Sequence, residues 1–151
     1  RKIAPLLADN PDYLLPDVAL VRLAGSLGKE YRCPTATENP AYNRLGKLWR
    51  GSDYKFNPCD YAGYCEKGPH PLYPDVLPEQ DRYNKYTALW TTGNFTMPEK
   101  RHMAPLGEAF PGHTKLGGSS IRTKNIRSAT PRGFSRALAL ANLHLMFKTE
   151  E

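Results

Sequence analysis

Tyr83-Asn84-Lys85-Tyr86-Thr87-Ala88-Leu89-Trp90 lies in one of the two longest stretches of the chain without proline or glycine, and it echoes an earlier segment. Tyr42-Asn43-Arg44-Leu45-Gly46-Lys47-Leu48-Trp49 carries the same Tyr, Asn, cation, large apolar residue, Leu and Trp at a constant offset of 41, and Trp49 and Trp90 are the only tryptophans. At helical period Tyr42, Leu45 and Trp49 share a face, as do Tyr83, Tyr86 and Trp90. Each segment is therefore expected as a short helix with one aromatic stripe. Asn39-Pro40 offers an N-cap and a first-turn proline for a helix to about Arg50, while Glu79 and Asp81 suit the first turn of one that runs through Trp90 and closes near Gly93. Such a duplicate serves either as paired anchors on a repeating partner or as two stripes packed into the chain's own small core, unless so short a match arose by chance.

Pro and Gly make up 26 of the 151 residues, and only Glu79–Thr92 and Phe134–Glu151 run longer than twelve residues without either. Pro lacks a ladder donor and Gly loses the most backbone freedom on folding, so this spacing disfavours long helices and central strands. The aliphatic residues gather in Ile3–Leu7, Tyr13–Leu27 and Phe134–Phe147, leaving a middle rich in Pro, Gly, Tyr and charge. The expected fold is mostly irregular and extended, with a few short α-helices, one longer C-terminal helix over about 131–147, little or no β-sheet and no large independent core. Within this single extended chain the expected parts are an apolar segment over 1–28, the two aromatic anchors and a Pro-rich spacer over 39–93, a basic arm over 109–136 and the helix over 131–147. Ile3–Pro16 reads as an extended lead; Pro16 or Asp17 can start a helix to Ala24 that Gly25 and Gly28 stop, although a strand over Val18–Leu23 fits nearly as well. Thr130 and Pro131 suit the start of the last helix, whose apolar residues Phe134, Leu138 and Leu145 go most of the way round the cylinder and demand partners, one candidate being the Leu14–Leu27 segment.

The formal net charge of +6 is unevenly placed. Arg1–Glu108 is nearly balanced, whereas Ala109–Thr149 holds Lys115, Arg122, Lys124, Arg127, Arg132, Arg136 and Lys148 and no acid. Such an arm favours an acidic protein surface, nucleic acid or anionic lipid, or is simply a solvated loop. No apolar run reaches the length of a membrane span. Arg1 in place of Met is expected of a processed or incompletely represented N-terminus, and three cysteines without an opening signal sequence suit a reducing compartment.

Motifs that carry chemistry are weak. Gly112–Ser119 has phosphate-loop spacing, but Gly118 stands where the phosphate-reaching lysine belongs and no strand precedes it. Cys33, Cys59, Cys65 and His70 are soft ligands without zinc spacing and read as free thiols and a plain histidine, while His102, His113 and His144 are scattered. Ser119, Ser120 and Ser128 lack a strand-to-helix elbow, and the carboxylates of Asp53, Asp60, Glu66 and Asp75 sit where preorganised geometry is least expected. No catalytic, cofactor or metal residue is assigned. The expected partner contacts are Tyr42, Leu45, Trp49, Tyr83, Tyr86, Trp90, Arg122, Lys124, Arg127, Arg132, Arg136, Phe134, Leu138 and Leu145.

Aromatic anchors at Tyr42–Trp49 and Tyr83–Trp90, joined by Pro-rich stretches such as Asn57–Pro78 and turns such as Thr91-Thr92-Gly93-Asn94-Phe95, resemble in style the microtubule inner proteins of cilia and flagella. The resemblance implies a non-catalytic cytoskeletal polypeptide of the axoneme that threads between tubulin subunits on the lumenal wall of the doublet, the basic arm suiting tubulin's acidity. Two other readings stand beside it. One is a supernumerary subunit of a mitochondrial ribosome or respiratory complex, with nucleic acid as a partner only in the ribosomal case; the other is a small enzyme.

Overall fold

The computed structural model describes residues 16–42 and 45–146, without the side chains at 16, 17, 47, 48 and 144–146. The expected lead over Ile3–Pro16 therefore lies outside the described residues up to its last position. Helix α1 spans Pro16–Glu30, strand β1 Thr35–Pro40, helix α2 Leu45–Leu48 and strand β2 Tyr54–Phe56. After 3-10 helices at Pro58–Tyr64 and Glu79–Asp81 come strand β3, Thr87–Thr92, and helices α3, Pro111–Thr114, α4, Ile121–Ser128, and α5, Arg132–Met146.

The central element is β3, not a second anchor helix. It pairs antiparallel with β1 and with β2 in the order β1-β3-β2, with Asn39 opposite Ala88 and Lys55 also opposite Ala88. A three-stranded sheet with a core replaces the expected extended chain with little or no β-sheet. The physical reason is burial on both faces. Thr87, Ala88, Leu89 and Trp90 are all buried, because alternate side chains of a strand point to opposite sides. Ala88 and Trp90 pack with Val18, Val21 and Leu45 on the α1 side. Leu89 packs with Phe56, Tyr61, Phe134 and Ala137 on the α5 side. Helical propensity in Tyr83–Trp90 is weak, and two bordering layers outweigh it.

The same contacts explain the other departures. Asn39-Pro40 ends edge strand β1, where a missing N–H costs little, and only Leu45–Leu48 turns helical afterwards. Helix α1 runs through Gly25 and Gly28 because these glycines admit the sheet. A Cβ on Gly28 would sit 2.6 Å from Thr35 Cγ2 and 2.9 Å from the Cys33 carbonyl. The expected clasp between α1 and α5 does not form; the sheet lies between them. A core also forms in the supposedly unstructured middle, since Phe56, Tyr61, Tyr83 and Phe110 supply the burial that aliphatic residues there do not. A third cluster joins Val76, Leu77, Tyr83, Phe110 and Ile126 of α4.

Helix α5 approaches the 3-10 helix at Pro58–Tyr64 closely enough that a Cβ on Gly133 would strike the Tyr61 carbonyl oxygen and lie 3.1 Å from Cys65 Sγ. Next to it Phe134 stacks on Phe56 with centroids 4.0 Å apart. Gly133→Ala should therefore lower stability by about 2–3 kcal/mol through overpacking against backbone. Gly46→Ala, where a Cβ meets nothing within 4 Å, should change it by no more than about 0.5 kcal/mol. Urea midpoints of the two variants measure the contrast.

Candidate functional site

Of the residues expected to meet a partner, several belong to the protein's own interior. Leu45, Tyr83, Trp90 and Phe134 are buried, and Trp49 and Leu138 are partly buried against the same clusters. The indole N–H of Trp90 donates to the Arg50 carbonyl at 3.0 Å. The side chain of Leu145 lies outside the described residues. Tyr42 and Tyr86 remain exposed, and they meet: their ring centroids are 5.7 Å apart. Lys55, across from Ala88, holds its ammonium 5.9 Å from the Tyr86 ring centroid, which puts the pair on the α1 side of the sheet.

On the outside of α1 the side chains of Leu20, Leu23 and Leu27 are 42–63% exposed, and Tyr31 just beyond it is 68% exposed. Their spacing of three, four and four residues stacks them along one face. Val18 and Val21 occupy the opposite face, toward the sheet. The helix is thus apolar on two sides, and only one is covered by the described residues.

The basic residues divide in the same way. Arg132 is locked onto Asp81, and Arg127 donates from Nε to the Gly112 carbonyl and from Nη2 to the Leu116 carbonyl, so both brace the fold. Lys124 is exposed; Arg122 pairs at 2.7 Å with exposed Asp75, and Arg136 reaches Glu66 at 3.5 Å. Surface pairs of this kind contribute little and leave the cations available to a partner.

Two partly buried groupings have the composition of catalytic sites, and their wiring differs. Asp81, 1% exposed, accepts from the Arg132 backbone N–H at 2.6 Å and from its guanidinium at 3.0 Å, with His70 Nε2 and Cys65 Sγ each 4.0 Å away. A Cys, a His and an Asp converge, but His70 Nδ1 accepts the amides of Leu72 and Tyr73. Burial and the neighbouring Asp81 charge push the Cys65 thiol up to about 11, and burial holds the His70 pKa below its ordinary value. The sulfur stays protonated at neutral pH without a base to activate it.

The other grouping lines a cleft of about 250 Å³ formed by Glu38, Pro40, Lys85, Thr87, Arg127 and Thr130. Glu38 Oε2 is buried without a hydrogen-bond partner. Desolvation raises the Glu38 pKa, the Lys85 charge opposing the shift, and desolvation lowers that of Lys85. Lys85 Nζ donates to the Ala129 carbonyl at 3.4 Å. Sequence reasoning missed the cleft because Glu38 and Lys85 are 47 residues apart and neither stands in a motif.

Comparison with protein-family models, with curated proteins and with solved structures found no match, so the chemistry of these surfaces carries the functional reading. Among the described residues no helix is long and apolar enough to cross a membrane.

A raised carboxyl pKa means that the folded state holds its proton more tightly than the unfolded chain. Glu38 therefore costs nothing at acid pH, and its cost grows as pH rises through the ordinary carboxylate range and the shifted value above it. Glu38→Gln should stabilise the protein by about 1 kcal/mol at neutral pH, a gain that disappears near pH 4. Urea unfolding at both pH values checks it; a loss of stability at neutral pH would show that the carboxylate is satisfied.

Proposed function

We propose that the chain is a non-catalytic structural module that docks on a larger assembly through the outer face of α1. The uncovered row Leu20, Leu23, Leu27 and Tyr31 carries this reading. A soluble surface rarely leaves a continuous apolar row on a helix whose other side is already in the core. Such a row fits the groove of a partner or the seam between two of its subunits. The exposed Tyr42–Tyr86 pair on the same side of the sheet adds two amphipathic rings suited to the margin of an interface.

The assembly suggested by the aromatic and proline pattern is the lumenal wall of the axonemal doublet, with tubulin and its neighbours as partners. The module sits on that wall as a folded unit. Exposed Arg122, Lys124 and Arg136 are then free to favour acidic neighbours by long-range attraction, which is weak at physiological salt and serves orientation more than affinity.

Leu23 and Leu27 contribute to no described core cluster, so Leu23→Ser with Leu27→Ser should leave the circular dichroism and urea midpoint close to wild type. Retention on purified doublet microtubules should fall more than about tenfold, as expected when two apolar anchors are lost from an interface. Equal retention of wild type and double variant would overturn docking through α1. Failure of the wild type itself to bind doublets would overturn the choice of assembly.

A further inference from the structure

A segment without regular secondary structure, Pro98–Met103, is strapped along the 3-10 helix at Pro58–Tyr64 by paired backbone bonds. The Met103 N–H donates to the Cys59 carbonyl at 3.0 Å and the Gly63 N–H to the Arg101 carbonyl at 2.9 Å. Tyr61 and Tyr64 hydroxyls donate to the carbonyls of Pro98 and Glu99. His102 stands between the two tethered residues, so its ring is held over the first turn of the 3-10 helix. There Cys59 Sγ, an Asp60 carboxylate oxygen and a His102 ring nitrogen all lie within 4.8 Å of one another.

We propose that Cys59, Asp60 and His102 bind a zinc ion. A tetrahedral zinc with Zn–N and Zn–O bonds near 2.0–2.1 Å spaces its nitrogen and oxygen ligands about 3.3–3.4 Å apart, and His102 Nδ1 lies 3.4 Å from Asp60 Oδ1. Cys59 Sγ completes three ligands. The fourth position belongs to water or to Asn84 Oδ1, which stands 3.3 Å from the sulfur. Asp60 is already oriented: its Oδ2 accepts the Asn57 N–H at 3.0 Å and faces Lys100 Nζ at 3.1 Å, leaving Oδ1 for the metal. Lys100 is exposed at 55% and can swing into solvent as the ion enters.

The ligand chemistry selects the metal. A sulfur and an imidazole disfavour calcium and magnesium, and a carboxylate disfavours copper(I). On binding, the Cys59 thiol gives its proton to solvent, and the thiolate and carboxylate together neutralise the dication beside the buried sulfur. The ion would pin the strap to the 3-10 helix, and with it the side of the core on which α5 packs. This site is independent of docking through α1, so either can fail without the other.

Cobalt(II) is the probe, because a thiolate ligand gives it charge-transfer absorption and a tetrahedral field gives intense visible bands. The full chain carrying Cys33→Ser removes the exposed thiol as a competing ligand. Cobalt should bind this chain with both features at one ion per chain, and zinc should displace it. Cys59→Ser should abolish the charge transfer, His102→Ala should weaken binding by more than about 100-fold, and Cys65→Ser should change neither. His102 is exposed, so its variant keeps the fold and tests the site even where Cys59→Ser does not fold. Absence of charge transfer in the Cys33→Ser chain, its survival in a folded Cys59→Ser variant, or unchanged affinity in His102→Ala would overturn the proposal.

Discussion

The carboxylate of Asp81 is the constraint on which the remaining layers depend. Gln80 and Asp81 take up left-handed backbone angles, with φ of 54° and 55°, a conformation that costs about 1–2 kcal/mol per residue. The turn is held because Asp81 caps the start of α5 from 51 residues away, accepting the Arg132 amide as well as its guanidinium. Negative charge at a helix N-terminus also meets the positive end of the macrodipole. Asp81 is buried whereas Arg132 is one-third exposed, so loss of the guanidinium, which leaves a buried carboxylate with fewer partners, costs more than loss of a partner would cost the arginine. Position follows from this single contact: it sets where Tyr83 enters the third cluster, where β3 begins, and at what height Gly133 and Phe134 meet Tyr61 and Phe56.

How much of this is legible in the sequence depends on whether a residue's partner is near in the chain. Helix α5 is legible because Thr130-Pro131 offers a start and Phe134–Phe147 is free of Pro and Gly; it begins at Arg132, one residue from that reading, and continues to Met146, where the described residues end. Over Val18–Leu23 helix and strand are nearly equal readings and α1 is a helix; its end is not legible, since Gly25 and Gly28 serve contact with the sheet rather than termination. Tyr83–Trp90 misleads because a strand buried on both faces shows no alternation, so its aromatic spacing fits a helix by coincidence. The resemblance to Tyr42–Trp49 then has no structural counterpart, as Leu45 and Trp90 end up in one cluster from different elements. Of the expected partner contacts, Tyr42, Tyr86, Arg122, Lys124 and Arg136 reach the surface. The α1 row was within reach of sequence reasoning as part of the Leu14–Leu27 run, but which leucines face outward depends on the sheet. Cys59, Asp60 and His102 were each visible, and 43 residues separate the first from the last.

Proline and glycine mark a different kind of order from the one they first suggest. The stretches they interrupt lack regular hydrogen bonding, yet their polar backbone groups find fixed partners: Leu106 N–H on the Arg82 carbonyl, Met103 N–H on that of Cys59, and Gly63 N–H on that of Arg101. Irregular backbone tolerates burial only when its donors and acceptors are paired this way. Aromatic side chains make the arrangement stable enough, because each buries more apolar area for one ordered residue than an aliphatic side chain does. A chain poor in aliphatic residues through its middle thus builds a core by stacking Phe56 on Phe134, setting Tyr61 edge-on to both and placing Tyr83 against Phe110.

Burying β3 on both faces demands a cover on each side, and both covering helices leave leucines outside, Leu140 and Leu143 on α5 as well as the α1 row. Beyond the α5 side, the Asp81–Arg132 pair and the bonded strap bring charge and satisfied backbone to the edges of the packing. On the α1 side the cover is α1 with Leu45 of α2 and Trp49 beside it, and α1 carries a second apolar row, Leu20, Leu23 and Leu27, away from the sheet. Exposed Arg22, Ser26 and Lys29 form a polar strip on the same helix, so its apolar surface is wider than one covered face needs without going all round. The inner face is already satisfied by Ala88 and Trp90, so burial within the described residues does not use the outer leucines, and the proposed docking is the step that would remove them from water.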